Sequence, residues 1–165
     1  MRKLKLFSVL LLLIIGVGQA WAGEETATWN FKDLQVTSGT QDGISWVTGK
    51  TGSASATICN STNGLVLYYN NGGGYFNTSS ATSGAITHVN IVSTAKKNTP
   101  KYTIYGSANG TDWTEIENNI GAGTKDSDIS GSYTYLKIAN TTGSAAQLGV
   151  TSITITYSGS GNPTV

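Results

Sequence analysis

Short runs in which apolar residues occupy every second position recur along this chain and constrain its fold more than any other feature. In the run 153–157, two isoleucines and a tyrosine alternate with two threonines. Successive side chains of a β-strand point to opposite faces, so a period of two predicts strands with one buried face. β-Branched and aromatic residues, which favour strands, dominate these runs. The pattern predicts an all-β protein, with Trp29 and Phe31 of the first run in its core.

Turn-forming residues separate the runs closely enough for many short strands. Clusters rich in Gly, Asn and Ser lie at 70–74, 107–110, 121–123 and 140–143, and such clusters mark turns between strands. Short strands joined in this way are typical of sandwiches and barrels. We therefore expect a two-sheet jelly-roll β-sandwich. The nine predicted strands are Thr26–Phe31, Ile44–Val47, Ala54–Ile58, Leu65–Tyr69, Ile86–Val92, Lys101–Ser107, Thr114–Ile116, Tyr133–Ile138 and Val150–Tyr157.

The first 22 residues have the features of an export signal. Three basic residues within the first five positions precede an apolar run at 6–17, and Ala20-Trp21-Ala22 resembles a signal cleavage site. The run is shorter than the ~20 residues that a membrane-spanning helix needs. We predict a cleaved signal peptide at 1–22 and a bacterial protein without a membrane span that is secreted, periplasmic or on the cell surface.

Removal of this signal changes the charge balance of the chain. The full sequence of 165 residues has ten basic and nine acidic side chains, but residues 23–165 carry seven lysines, no arginine and all nine acids. Nucleic acid is excluded as a partner because proteins bind it with basic stripes. We expect one domain at 23–157. The segment 158–165 is a flexible tail or linker, either the remnant of a longer protein or a disordered end.

The residue inventory offers little for catalysis. The single histidine, His88, falls in a predicted strand, and Cys59, which has no second cysteine to pair with, is expected to be a small buried side chain. A zinc site needs three or four His, Cys or carboxylate ligands. Acidic residues pair at 115 and 117 and at 126 and 128, so each pair shares one face of a strand or is solvated on a loop. We expect no enzymatic activity, and a small secreted hydrolase is the remaining catalytic alternative.

A strand-turn-strand signature occupies residues 101–116. Six residues carry it, in the order Tyr102, Ile104, Ser107, Asn109, Gly110 and Trp113. The segment resembles the signature of discoidin-like modules, also called coagulation factor type C domains, of the galactose-binding-domain-like superfamily. We expect Asn109-Gly110 to form a tight hairpin turn and Trp113 to return on the next strand and cap the core.

Neighbouring segments follow the order of the same family. Residues 86–91, 135–138 and 150–157 resemble its strands, so the resemblance covers about residues 85–157. The resemblance implies a β-sandwich fold and, more broadly, the binding of glycans or surfaces that is common in this superfamily. Relatives of this fold often hold one calcium ion, for which the carboxylates would be Asp33, Asp42 and Asp126 or Asp128. The spacing of the residues themselves indicates no cofactor and no metal site.

Aromatic and amide side chains beside a glycine loop are the candidate ligand-binding residues. Sugar rings present apolar CH faces that stack on aromatic rings, while amide groups bind the hydroxyls. Four candidates, Tyr68, Asn70, Asn71 and Tyr75, surround three consecutive glycines, and Trp46 follows a predicted turn. The alternative is a strand-turn-strand unit whose tyrosines pack on the sheet faces.

These observations favour one function and leave a second open. We predict a secreted, non-catalytic carbohydrate-binding module whose partner is a glycan or polysaccharide. The alternative is a structural or adhesive accessory domain of a cell-surface protein, which would contact other surface proteins. Because charged residues are only 12% of the chain, aromatic contacts rather than charge are expected to hold the ligand.

Overall fold

The structure is a computed structural model that describes residues 23–142 and 145–159. The predicted signal peptide at 1–22 and the last six residues of the predicted tail lie outside the described residues. Within these ranges the elements are β1 (Glu24–Asn30), α1 (Phe31–Leu34), β2 (Ser38–Gln41), β3 (Ile44–Lys50), β4 (Ile58–Asn60), β5 (Gly64–Tyr69), β6 (Gly74–Thr78), β7 (Ile86–Lys97), β8 (Lys101–Ser107), β9 (Thr114–Gly121), β10 (Thr124–Asp128), β11 (Tyr135–Asn140) and β12 (Ala146–Ser158).

The strands form two antiparallel sheets of six strands each. Sheet A has the order β10-β7-β12-β5-β4, and β1 also pairs with β12. The long strand β12 pairs with two strands along the same edge. Its residues 146–150 pair with β5, and its residues 152–158 pair with β1. Sheet B has the order β2-β3-β6-β11-β8-β9. The predicted two-sheet β-sandwich is confirmed.

Four large aromatic rings form the part of the core that joins the two sheets. Trp29 of β1 in sheet A packs edge to face on Phe76 of β6 in sheet B, with ring centroids 5.3 Å apart. Phe31 of α1 lies 5.6 Å from Trp46 and 5.7 Å from Phe76. Trp29 and Phe31 are fully buried, as their place in the first predicted strand indicated.

Burial corrects the prediction that Trp46 binds a ligand. The side chain of Trp46 is 2% exposed, and its ring lies against Phe31 and Phe76. A ring enclosed by the core has no face on which a sugar can stack. The prediction is wrong because Trp46 sits at an inward position of β3, where the period of two places it in the core.

Three strands were absent from the nine predicted strands, and composition explains the absence of two of them. The edge strand β2 has an almost entirely exposed pattern, and β10, at the edge of sheet A, reads Thr-Lys-Asp-Ser-Asp. An edge strand with little buried surface needs no apolar alternation, so the period of two does not reveal it. The third strand, β6, begins at Gly74, directly after the glycine loop, as the strand-turn-strand alternative anticipated.

The contacts of Cys59 are those of a structural side chain and not of a catalytic one. It lies in β4 against the core, and its thiol donates a hydrogen bond to the carbonyl oxygen of Phe31 at 3.1 Å. Burial raises the pKa of the Cys59 thiol. The reactive thiolate form is therefore disfavoured. The side chain packs against the core but is only partly buried, less than the buried position that was expected. The one short helix of the described ranges, α1, is far from the length and apolar character that a bilayer crossing needs.

Candidate ligand-binding cleft

Neighbouring strands of sheet B bring two tyrosines and a lysine together on its outer face. Strand β11 lies between β6 and β8. Lys137 of β11 is opposite Tyr105 of β8, and Ala139, two residues further along β11, is opposite Tyr75 of β6. Residues that face each other, or that are two apart on one strand, point to the same side of a sheet. Tyr75, Lys137 and Tyr105 therefore share one face, with the lysine in the middle.

The amino group of Lys137 lies among aromatic rings. Its Nζ is 4.7 Å from the ring centroid of Tyr75 and 5.6 Å from those of Tyr105 and Trp113. Ammonium groups within about 6 Å of an aromatic ring are attracted by its electron-rich face. The side chain of Lys137 is also half-buried, and this burial lowers the pKa of its amino group.

A cleft opens beside this lysine. Its volume is about 360 Å³, which lies within the range of small-ligand sites. Its lining includes Tyr69, Tyr75, Tyr105 and Lys137 together with Gly72 and Gly73 of the glycine loop. We call this site the aromatic cleft. Flat rings, a cation and accessible backbone are the groups that bind a polar ring compound with apolar faces.

The glycine loop is fastened to the neighbouring loop after β3. The backbone N–H of Thr51 donates to the carbonyl of Gly73 at 3.0 Å, and that of Ser53 donates to the carbonyl of Asn71 at 3.1 Å. The N–H of Gly73 in turn donates to the hydroxyl of Thr51 at 3.0 Å. These bonds hold Thr51 and Gly73, which both line the aromatic cleft, in fixed positions.

The position of the Tyr75 ring depends on a glycine in the adjacent strand. Gly49 of β3 is opposite Tyr75, and a Cβ atom at Gly49 would overlap the hydroxyl end of the Tyr75 ring. We expect Gly49→Val to displace this ring from Lys137, since valine itself fits a strand. The ring-current shift of the Lys137 ε-methylene protons should then decrease in NMR spectra. Gly121→Val is the control, because a Cβ there meets only the end of Lys101. An unchanged Lys137 shift in Gly49→Val would contradict this account.

The structure divides the predicted site residues between two places. Tyr75 lines the aromatic cleft, whereas Tyr68 and Asn70 line a second cleft of about 190 Å³ together with Lys97. We call it the Tyr68 cleft. Asn71 is exposed in the glycine loop, where its φ angle of 51° gives the chain a left-handed turn.

Sequence reasoning missed most of the aromatic cleft. Tyr69, Tyr105 and Lys137 were not selected. Tyr105 and Lys137 meet only through the pairing of β8 with β11, and Tyr69, at the end of β5 in sheet A, reaches the glycine loop through its bridge to Gly73. Trp113 requires a correction. It was expected to cap the core, but it is half-exposed, and its ring faces Lys137 on the outer side of sheet B. The sequence did contain one signal for Tyr105. The period of two places it on the face opposite to Ile104, and therefore on the outer face of the sheet.

The histidine and the acidic pair on β10 form a separate polar cluster on sheet A. His88 lies 2.9 Å from a carboxylate oxygen of Asp128 and 3.2 Å from one of Asp126, which also accepts a hydrogen bond from Asn90. The two carboxylates share one face, as their spacing indicated. The hydrogen bond to Asp128 is the main cause that raises the pKa of His88. This cluster is exposed and lies apart from both clefts.

The second acidic pair is engaged in fixed contacts. Glu117 forms an ion pair with Lys125 at 2.6 Å and accepts a hydrogen bond from Ser127, and these contacts lower the pKa of its carboxyl group. Glu115 accepts a hydrogen bond from Asn118. Neither acid lines the aromatic cleft.

The carboxylates considered for calcium have separate partners. Asp42 accepts a hydrogen bond from the backbone of Thr28, and Asp33 accepts one from the side chain of Asn30. Among the described residues, no group of three or more His, Cys, Asp or Glu side chains is arranged to hold a metal ion. The implied calcium site therefore gains no support from side-chain ligands.

Comparison with known proteins identifies the fold. No protein-family model matches the chain, and no curated protein matches it in sequence. Among solved structures, a mutant of CBM29-2 complexed with mannohexaose, one of the family 29 carbohydrate-binding modules, is similar with a TM-score of 0.53 and 14% identity. The alignment covers 87% of this chain and 97% of that chain. A second CBM29-2 mutant aligns with a TM-score of 0.39 and 12% identity, over 87% of this chain and 81% of that chain.

At this level of identity the likeness shows the fold alone. It extends over both halves of the β-sandwich, including the first half, which the discoidin-like resemblance did not cover. A specific relationship to discoidin-like modules stays a prediction.

Proposed function

We propose that residues 23–157 form a non-catalytic carbohydrate-binding module whose ligand lies in the aromatic cleft. The observation that carries this proposal is the grouping of Tyr75, Tyr105 and Lys137 beside an open cleft on the outer face of sheet B. Aromatic rings stack on the apolar faces of pyranoses, and backbone groups and the lysine can bind the hydroxyls. The fold shared with a module that was solved in complex with mannohexaose supports the same function.

The proposal includes the absence of catalysis and an extracellular location. The acids of the two predicted pairs are held in contacts with His88, Lys125 and neighbouring side chains, outside the aromatic cleft. A glycoside hydrolase typically needs a pair of carboxyl groups that flank the bond that it cleaves. The export signal predicted at 1–22 would bring the protein to extracellular polysaccharides.

Affinity electrophoresis in gels that contain soluble polysaccharides tests this function. Protein expressed from the full sequence should be retarded by at least one polysaccharide from a panel of mannan, galactan, xylan and polygalacturonate. We expect Tyr105→Ala to weaken this binding at least tenfold, since losing a central aromatic contact typically costs about 2 kcal/mol. Tyr68→Ala, which changes the Tyr68 cleft instead, is the matched control and should bind normally.

The outcomes separate the two clefts. If Tyr68→Ala loses binding and Tyr105→Ala retains it, the ligand lies in the Tyr68 cleft and the proposed site is wrong. If no polysaccharide retards the folded protein, the proposed function is wrong. Thermal unfolding of each variant should show that both remain folded, because each residue is only half-buried.

A further inference from the structure

The aromatic cleft contains a single charged side chain. Among the residues that line it, Lys137 carries the charge, and no aspartate or glutamate is present. All nine acidic side chains of the sequence belong to the described part of the chain. The ion pairs in that part of the chain involve His88 and Lys125, not Lys137. No side-chain carboxylate of the protein therefore lies within 4 Å of the Lys137 amino group.

Glu115 and Asp112 are the acids near this part of sheet B, and each is separated from Lys137 or engaged elsewhere. Glu115 is opposite Tyr105 on β9, and β8 separates β9 from β11, the strand of Lys137. Strands two positions apart are about 9–10 Å from each other. Asp112, in the turn before Trp113, accepts a hydrogen bond from Asn109 at 2.7 Å. Neither acid lines the aromatic cleft.

Lys137 is a cation without a counter-ion in a partly desolvated place. Its burial disfavours the charged form and lowers the pKa of the amino group. The aromatic rings of Tyr75, Tyr105 and Trp113 offset part of this cost but cannot neutralise the charge. An anion in the cleft would supply the missing partner through a charge-assisted hydrogen bond, which is stronger than one from a neutral hydroxyl.

The overall charge of the protein offers no alternative source of attraction for anions. After removal of the predicted signal, nine acids outnumber seven lysines. Long-range electrostatics would then repel a polyanion weakly, and salt would screen that repulsion. Any preference for an acidic ligand must therefore arise from the local site.

We propose that the ligand of the aromatic cleft is an anionic glycan, a polysaccharide whose pyranose rings carry carboxylate or sulfate groups, and that Lys137 binds the anionic group while the tyrosines contact the ring. This inference rests on the proposed function, and it names the class of carbohydrate. It differs from the expectation that charge plays no part in ligand binding.

Matched pairs of polymers test the inference. Polygalacturonate and its fully methyl-esterified form share one backbone and differ in charge, and a galactan and its sulfated form provide the second pair. We expect protein expressed from the full sequence to bind the charged member of at least one pair about tenfold more tightly in low salt. The difference should narrow at about 1 M salt, where the Debye length is near 3 Å. The pair that shows the preference identifies carboxylate or sulfate as the anionic group.

Variants at Lys137 connect this preference to the cleft. The Lys137→Gln variant should bind the charged and the uncharged polymer of a pair equally, whereas the Lys137→Arg variant should retain the preference for the charged polymer. Lys97→Gln, which removes a lysine of the Tyr68 cleft, is the matched control and should behave as the unchanged protein. Thermal unfolding checks that each variant is folded.

The inference and the proposed function fail in different ways. Equal binding to charged and uncharged polymers would overturn the anionic ligand but leave carbohydrate binding intact. A preference that survives in Lys137→Gln but disappears in Lys97→Gln would overturn the assignment to Lys137. Absence of binding to every polymer would contradict the proposed function itself.

Discussion

Phe76→Ala should lower the free energy of unfolding by about 3–5 kcal/mol, a large share of the 5–15 kcal/mol that stabilises a typical domain. Phe76 is fully buried and contacts three aromatic rings, those of Trp29, Phe31 and Trp46. Truncation removes this apolar surface and leaves a cavity where sheet A meets sheet B. Urea unfolding followed by tryptophan fluorescence measures the loss, because two of the neighbouring rings are indoles.

The control for this prediction is a tyrosine on the other side of the same sheet. Tyr105→Ala removes a similar volume from the outer face of sheet B, where the ring is only half-buried, and should cost about 1 kcal/mol. If Phe76→Ala does not fold, Phe76→Leu is the milder variant, with an expected loss of about 1–2 kcal/mol. Equal losses for Phe76→Ala and Tyr105→Ala would show that the aromatic cluster does not join the sheets.

Gly72→Ala should be the most damaging of the glycine substitutions in the loop beside the aromatic cleft. Gly72 has a φ angle of 142°, which side-chain-bearing residues rarely adopt, and a Cβ atom there would overlap the carbonyl oxygen of Thr51. Thr51 cannot retreat without losing its hydrogen bonds to Gly73. We expect a loss of about 3–5 kcal/mol in the free energy of unfolding, measured in urea.

A second glycine separates the two causes of this loss. Gly123 has nearly the same φ angle, 143°, but a Cβ atom there would meet nothing within 4 Å. Gly123→Ala should therefore show the conformational cost alone, about 1–3 kcal/mol. The difference between the two variants measures the collision with Thr51, and indistinguishable losses would mean that the two loops are not tightly packed.

The strands with one buried face were predictable from the sequence alone. In β8 and β12, apolar and polar residues alternate, and the structure buries the apolar positions, including Ile104, Ile153 and Ile155. The edge strands β2 and β10 were not predictable, because nearly all of their side chains remain exposed and leave no alternation. They form because backbone groups of β3 and β7 are available to pair with them.

The candidate site was predictable only in part. Tyr75 was selected because it follows a glycine loop, and that loop does line the aromatic cleft. Trp46 was selected on similar grounds but packs in the core, since its residue type suits both environments. Tyr105 and Lys137 are 32 positions apart in the sequence, and only the register of β8 against β11 makes them neighbours.

What the sequence determined by itself is the class of the fold and the buried positions of the alternating strands, because alternation along one strand is a local property that follows from the geometry of a single extended chain. What only the tertiary structure decided is which exposed side chains meet. Strand order and register set those distances, and they depend on how distant segments pair. The aromatic cleft and its unpaired Lys137 therefore exist only in the folded sheet.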